Sequence, residues 1–420
     1  MHVLLDVNVL GRGYAAEITR TGISRATESL TRAMLRRPDI TLRFSAEATW
    51  ASELLLLAYD REGGGTLAPR ILRAWEQPDL ADAEATALIA QVVAAEDAGR
   101  DARRDRATLT LLNATARRVG LPGSFDVLHS LRTALPAPGR IPARVRVLTI
   151  HDLIPLRHPE WMYPTAVAEV RAIADSILPG DFVIANSRAT ADDVSALLGI
   201  RPERIFVTPF AASEEVFYRE ESTERIEAAK ARYGIPTGPY LLSLCTLEPR
   251  KNLPHLLRCF HRLVQQERLP GVRLVLVGAT GWKTDALFAL LQEHPELRAR
   301  VVLAGYVADA DLAALYSGAR AFVYPSLDEG FGLPVLEAMQ CGTPVITSNA
   351  GSLPEVTGDA GLAVGPTDAD ALAEAILRLV TDDGLAADLA GRGRRRSALF
   401  SWDRTAEATV RAYQAMLERV

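Results

Sequence analysis

Cysteine is scarce in this chain, with 3 among 420 residues, at Cys245, Cys259 and Cys341. They lack the spacing of zinc ligands and read as small core residues of a protein kept in a reducing compartment. No apolar run reaches the roughly 20 residues a membrane-spanning helix needs, and Met1 leads straight into a strand-like segment instead of a signal peptide. The expectation is a cytoplasmic protein. Neither sign of charge dominates: 47 Lys and Arg against 52 Asp and Glu leave −5, which gives no general case for nucleic-acid binding. No stretch repeats itself at a period of roughly 20–50 residues.

What is present is a soluble, globular composition, 48% hydrophobic and 24% charged. A chain this long suggests two domains or three. The most informative stretch, Ala319 to Glu337, reads A-R-A-F-V-Y-P-S-L-D-E-G-F-G-L-P-V-L-E. Ala321 to Tyr324 have the apolar, β-rich character of a buried strand, which Pro325 and Ser326 end. Asp328 and Glu329 precede the small unit Gly330-Phe331-Gly332. Val335 to Gln340 then predicts a helix, stopped by Gly342 and Pro344. Strand, glycine loop and helix in that order present unpaired N–H groups and a partial positive charge, and glycine lets an anion approach the backbone. Glu329 falls before the helix, and Glu337 is expected about two turns inside it.

Glu329 to Glu337 resembles the E-x7-E signature of retaining glycosyltransferases of the GT-B fold, family 4, also called group 1. The resemblance implies that Glu329 contacts hydroxyls of a donor sugar and Glu337 the ribose hydroxyls of a nucleotide. It also implies that the N–H groups around Gly330, Phe331, Gly332 and Leu333 face the sugar and diphosphate.

Along the chain, His2 to Val9 predicts a strand followed by the loop Gly11-Arg12-Gly13, and Gly22-Ile23-Ser24-Arg25 opens a helix to about Arg37. The T-G-I-S-R wording resembles the glycine loop at the family's interdomain cleft, an acceptor-side position for Gly22, Ile23 and Ser24. Ala81 to Ala95 reads as an alanine-rich helix. Arg100, Arg103, Arg104, Arg106, Arg117 and Arg118 form a basic run, read as a solvated face or as a patch for anionic lipid or a pyrophosphate-linked acceptor. His151 stands at the C-terminal end of the predicted strand Val145 to Ile150, where ligands gather in open α/β sheets. A neutral imidazole there can hydrogen-bond a sugar hydroxyl or pyranose oxygen. The wording H-D-L-I-P-L resembles a mannosyltransferase-like branch of the family.

Pro209 to Pro239 reads as a connection between domains. The strand Tyr240 to Cys245 leads into Thr246-Leu247-Glu248-Pro249-Arg250-Lys251-Asn252, where adjacent cations at a strand end can neutralise a diphosphate without metal. This string resembles the family's G-T-L-E-P-R-K-N, with Cys245 where a glycine is usual. By the same resemblance, the backbone around Tyr306 and Val307 meets the nucleotide base, Thr246 lies on the donor side, and Asn349 to Glu355 forms a loop near the phosphates. Asp309 with Asp311, and Asp368 with Asp370, have a D-x-D spacing that chelates metal in the other common glycosyltransferase fold. Both pairs stand directly before predicted helices, where carboxylates complement the dipole, so no metal is expected. Gly391 to Arg396 reads as a basic turn, and Trp402 to Glu418 as a last helix that in this fold commonly crosses back to the first domain.

These expectations combine into an α/β protein of GT-B type, two doubly wound units facing across a cleft. Residues 1–208 form the acceptor-binding unit, 209–238 the connection, 239–399 the nucleotide-sugar unit and 400–420 the returning helix. The implied activity is retaining, metal-independent transfer of a sugar to a saccharide or lipid-linked saccharide acceptor in surface polysaccharide or glycoconjugate synthesis. GDP-mannose is the first choice of donor, with UDP- or other GDP-linked sugars open, and no cofactor is implied. His151, Glu329, Arg250 and Lys251 carry the chemistry. An epimerase or phosphorylase of the same fold, and a catalytically silent sugar-nucleotide-binding partner, are the rival readings. The expected location is the cytoplasm, with peripheral contact at the inner face of the membrane.

Overall fold

The computed structural model describes residues 1–15, 22–46, 49–62, 64–73, 75–76, 117–118 and 120–420, together with positions 87, 89, 91 and 113. Its strands are β1 (His2–Asp6), β2 (Thr41–Ser45), β3 (Trp75–Glu76), β4 (Arg117–Arg118), β5 (Phe125–Ser130), β6 (Ala143–Ile150), β7 (Phe182–Ala185) and β8 (Ile205–Val207). The second half adds β9 (Tyr240–Leu244), β10 (Arg273–Val277), β11 (Val301–Gly305), β12 (Ala321–Tyr324), β13 (Val345–Ser348) and β14 (Gly361–Val364). Two six-stranded sheets result, ordered β2-β1-β5-β6-β7-β8 and β11-β10-β9-β12-β13-β14, with every neighbouring pair parallel. Short apolar strands such as FVIA, AFVY and VITS are buried throughout, as expected for parallel sheets covered by helices on both faces. The α/β, two-sheet architecture is therefore the expected one. In the second sheet the order reverses between β9 and β12, and ligands of such sheets bind outside the strand carboxyl ends at that reversal.

Three local readings change. β1 ends at Asp6, and Asn8–Ala15 is a helix, so Gly11 lies inside a helix and not in a loop after the strand. A Cβ on Gly11 would come within 2.7 Å of the Leu56 amide, so the missing side chain serves close helix packing and not phosphate approach. Gly391 to Arg396 belongs to the helix Asp383–Ser397. There Gly393 lies against Met339, 3.2 Å from where its Cβ would be, and packing overrides weak propensity. The segment 209–238 contains the helix Thr223–Arg232, whose Ala229 joins the core of the second unit. The alanine-rich segment 81–95 and most of the basic run from Arg100 to Arg118 lie outside the described residues; the backbone of Arg117–Arg118 pairs antiparallel with Trp75–Glu76.

The last helix, Trp402–Leu417, buries Ala406, Val410, Tyr413 and Met416 in the core of the first unit. Its Tyr413 hydroxyl bonds His129 Nδ1 at 2.5 Å, while His129 Nε2 meets Thr149 Oγ1 at 2.7 Å. Burial pushes this imidazole down to about 3, aided by the nearby His151, so the bond is made by a neutral ring. Among the described residues no helix is long and apolar enough to cross a membrane.

Candidate active site

β9 and β12 end side by side at the reversal point, and the two loops that follow meet there. Arg250 and Lys251 form a single 3-10 turn after β9, and Asn252 ends it with φ 57°. Asn252 Nδ2 donates to the carbonyls of Pro325 and Pro366, which fastens the cation turn to the loop after β12. Asparagine tolerates this left-handed conformation better than most residues.

Glu329 sits between both cations. Arg250 Nη1 donates to its Oε2 at 2.6 Å and Lys251 Nζ to its Oε1 at 2.6 Å. Lys251 also reaches the Tyr324 hydroxyl at 2.6 Å, and Arg250 Nη2 donates to Glu248 at 2.7 Å. Burial raises the affinity of Glu329 for a proton, but Arg250 and Lys251 outweigh it and hold the carboxyl at about 2. It is ionised at every physiological pH, and the cluster is a preorganised set of charges in a site sheltered from water. Ser352 supports it from the loop after β13, donating through N and Oγ to the Glu329 carbonyl at 3.1 and 3.0 Å.

Glu337 lies in the helix Leu333–Gln340, a little over one turn inside it instead of two. Its carboxyl is buried, and the Tyr316 hydroxyl donates to Oε2 at 3.0 Å. Burial pushes it up to about 7, opposed by Arg25 and by the Tyr316 bond. Gly332 starts this helix at φ 101°, and any Cβ there would strike Leu353 at 2.6 Å. Phe331 packs into the core within ring contact of Phe210 and Phe400, so its side chain holds the loop while its backbone lines the site.

The two units meet across this loop. A Cβ on Gly330 would lie 2.3 Å from the His151 carbonyl oxygen. Ser187 Oγ and Thr190 Oγ1 donate to the Gly330 carbonyl at 2.7 and 3.1 Å, and Glu355 accepts from the Arg188 amide at 2.8 Å. Arg157 reaches Asp328 at 3.4 Å, and Trp282 Nε1 donates to the Trp161 carbonyl at 2.6 Å. The cleft is closed, with His151 brought against the glycine loop. His151 Nε2 donates to the Leu131 carbonyl at 2.7 Å, which leaves Nδ1 as an acceptor. That Nδ1 is buried with no hydrogen-bond partner among the described residues. Burial, helped by Arg132, lowers the imidazole to about 4, so Nδ1 carries a lone pair able to accept a hydrogen bond.

Gly22 also faces the cleft, 3.6 Å from Leu333 measured from where a Cβ would be; Ser24 is buried in the helix that follows. Thr246 and Tyr306 are exposed, Tyr306 by 50%, while Val307 is buried. Cys245 is buried and its thiol is pushed up to about 12, and the close approach falls instead to Gly278, where a Cβ would collide with the Cys245 carbonyl. The D-x-D pairs are engaged otherwise. Asp309 pairs with Arg25 across the cleft at 2.5 Å, Asp311 with Arg232 and Tyr233, and Asp368 caps a helix. Sequence reasoning did not single out Arg25, Tyr316, Tyr324, Ser187 or Asp152. Asp152 is raised by burial beside Arg250 and Glu329. Asn186 Oδ1, at the end of β7, is also buried without a partner among the described residues.

Residues 225–396 match the model of the glycosyl transferases group 1 family. The O-antigen chain mannosyltransferase B of Escherichia coli is 35% identical over 271 residues, 64% of this chain and 70% of that protein. The chain is a group 1 glycosyltransferase. Serotype-specific mannosyltransferase WbdA of Escherichia coli is 29% identical over 431 residues, covering 100% of this glycosyltransferase and 48% of WbdA. The chain thus spans about half of that relative's length. Among solved structures, the HepE protein of Anabaena in complex with UDP and glucose superposes with a TM-score of 0.64 at 19% identity, over 98% of each chain. That likeness establishes the GT-B fold.

Proposed function

We propose that this glycosyltransferase moves a mannosyl residue from GDP-mannose to a saccharide or lipid-linked saccharide acceptor in surface polysaccharide synthesis, with retention of configuration and without a metal. The carrying observation is the Glu329 carboxylate clamped between Arg250 and Lys251 beside the N-terminus of the Leu333–Gln340 helix. The arriving diphosphate takes over both cations, and the carboxylate is then available to the sugar hydroxyls. Two fixed cations and a helix terminus stabilise the charge that grows on the leaving diphosphate. They supply the role a divalent ion fills elsewhere. His151 Nδ1 accepts from the sugar from the facing unit, and Glu337 accepts from the ribose hydroxyls. On this reading the acceptor attacks from the leaving-group face and the departing phosphate receives its proton, so no residue becomes covalently attached. The closed cleft excludes water and so limits donor hydrolysis.

The mannosyl choice is supported by the names of the two Escherichia coli relatives; the UDP complex of HepE makes UDP-glucose the comparison donor. Incubation of the chain with each donor and oligomannoside acceptors, in EDTA, followed by NMR of the product, tests it. An α-linked mannosyl product formed from GDP-mannose is expected. Inversion at the anomeric carbon, transfer from UDP-glucose alone, or dependence on added divalent ion would overturn the corresponding part.

A further inference from the structure

Away from the cleft, the second unit carries a separate group of potential metal ligands. His261 lies on the helix Leu253–Gln265, and His294 and Glu296 stand at the junction between the helices Asp285–Glu293 and Pro295–Arg298. The Glu296 Oε1 atom is 2.6 Å from His261 Nε2 and 3.8 Å from His294 Nδ1. One ligand atom from each of the three lies within 4.8 Å of the others, and the two imidazole rings are 4.2 Å apart. A single carboxylate oxygen thus faces two ring nitrogens. His294 is the N-cap residue of its helix but makes no side-chain capping bond, so local helix chemistry does not account for its position.

We infer that His261, His294 and Glu296 form a binding site for one divalent transition-metal ion such as zinc, which clips the Leu253–Gln265 helix to the segment leading into β11. Two imidazoles and one carboxylate are a ligand set that suits zinc, with the fourth position left to water. Ligand atoms around a tetrahedral zinc stand about 3.4 Å apart, given metal–ligand distances of about 2.0–2.2 Å. The observed 2.6 and 3.8 Å bracket that spacing, and the third pair lies within 4.8 Å, so small side-chain rotations bring all three atoms onto one ion. His261 is buried and fixed by its helix, while His294 and Glu296 are partly exposed and leave a path from solvent. The site is structural: His261 is roughly 12 Å along the helix from Leu253, which follows the cation turn of the donor site. This inference does not depend on the proposed donor or reaction.

Tag-free protein stripped with chelator and titrated with Zn2+ by calorimetry tests it, with thermal unfolding followed in parallel. One ion per chain is expected, together with a rise in Tm. His294→Ala and Glu296→Gln, both at partly exposed positions, should each weaken binding by about tenfold or more and abolish the rise in Tm. His255→Ala and His158→Ala are controls, because His255 lies 3.9 Å from Cys259 Sγ and His158 lies 3.1 Å from Glu160. Absence of stoichiometric binding, binding unchanged in both test variants, or binding lost only in a control would overturn the assignment.

Discussion

Replacing Glu337 by glutamine tests the electrostatics of the site through stability alone. The carboxyl is buried, its ordinary value is 4.5, and burial moves it to about 7. The folded chain therefore binds more protons than the unfolded chain between these two values. The sign follows: the stability associated with this group is fully present below 4.5 and is lost as pH rises through about 7. The ionised folded state is disfavoured by about 3 kcal/mol once pH exceeds that window. Glutamine keeps an acceptor oxygen for the Tyr316 hydroxyl and cannot ionise. Glu337→Gln should thus gain on the wild type as pH rises, by about 3 kcal/mol between about pH 4.5 and pH 8, or roughly 3–4 °C in Tm for a chain of this length unfolding as one unit. Scanning calorimetry of both proteins at about pH 5 and pH 8 without nucleotide checks this by the change in the gap between them. A gap of equal size at both values refutes the reasoning. The same ionisation links to ligand: ribose hydroxyls donate to a carboxylate better than to a carboxylic acid. Wild-type affinity for GDP should therefore rise as pH passes upward through about 7, and that dependence should vanish in Glu337→Gln.

Glu329→Gln removes the charge that binds Arg250 and Lys251 together; transfer should fall by about 10²–10³-fold while GDP, measured by calorimetry, still binds. Gly330→Ala forces a methyl group into the His151 carbonyl, so the cleft cannot close fully; kcat should drop sharply, and small-angle scattering should report a more open molecule with the Tm nearly unchanged. Arg25→Ala removes the cation that stabilises ionised Glu337 and the bridge to Asp309; the upward pH dependence of GDP binding should move to still higher pH. Tyr413→Phe leaves His129 Nδ1 buried without its partner, a loss of about 1–3 kcal/mol visible as a lower Tm.

The strand, glycine loop and helix around Glu329 were legible because their signals are local: an apolar run, an acidic pair, glycines, then a helix. The bonds that make this a site are not local. Glu329 and Lys251 are 78 positions apart, and only the reversal of strand order between β9 and β12 brings them together. The alternation of strands and helices gave the fold class but not that adjacency. Gly11 shows the opposite failure. A Gly-x-Gly after an apolar run suits a phosphate loop and a tight helix contact equally well, and what decides between them is the helix Trp50–Glu62, 39 or more positions away. Gly391 and Gly393 likewise lowered the helical signal of Asp383–Ser397, although Met339 supplies a reason for the second glycine that no local window contains. His151 was placed by its strand end, yet the tautomer that leaves Nδ1 as acceptor depends on the Leu131 carbonyl from the end of β5.

The charges of the site carry one further consequence. Glu248 and Glu329 against Arg250 and Lys251 sum to zero, and all four are held within 2.7 Å contacts. A cluster whose charges cancel exerts little pull on a distant anion, so donor capture cannot rest on long-range attraction by these groups. On the proposed reading, binding exchanges carboxylate–cation bonds for phosphate–cation bonds, in a buried place where an unpaired charge is costly. Releasing Glu329 before something satisfies it is therefore unfavourable, and the hydroxyls of the sugar are the groups that arrive at the same moment. A nucleoside diphosphate lacking the sugar frees the carboxylate without replacing its donors. The complete donor should consequently bind more tightly than the bare diphosphate, and that advantage should shrink in Glu329→Gln, whose amide does not carry a charge to be abandoned. Competition calorimetry of GDP against GDP-mannose on both proteins decides it: an equal preference in the two would mean that Glu329 is a fixed strut and not a ligand exchanged during capture.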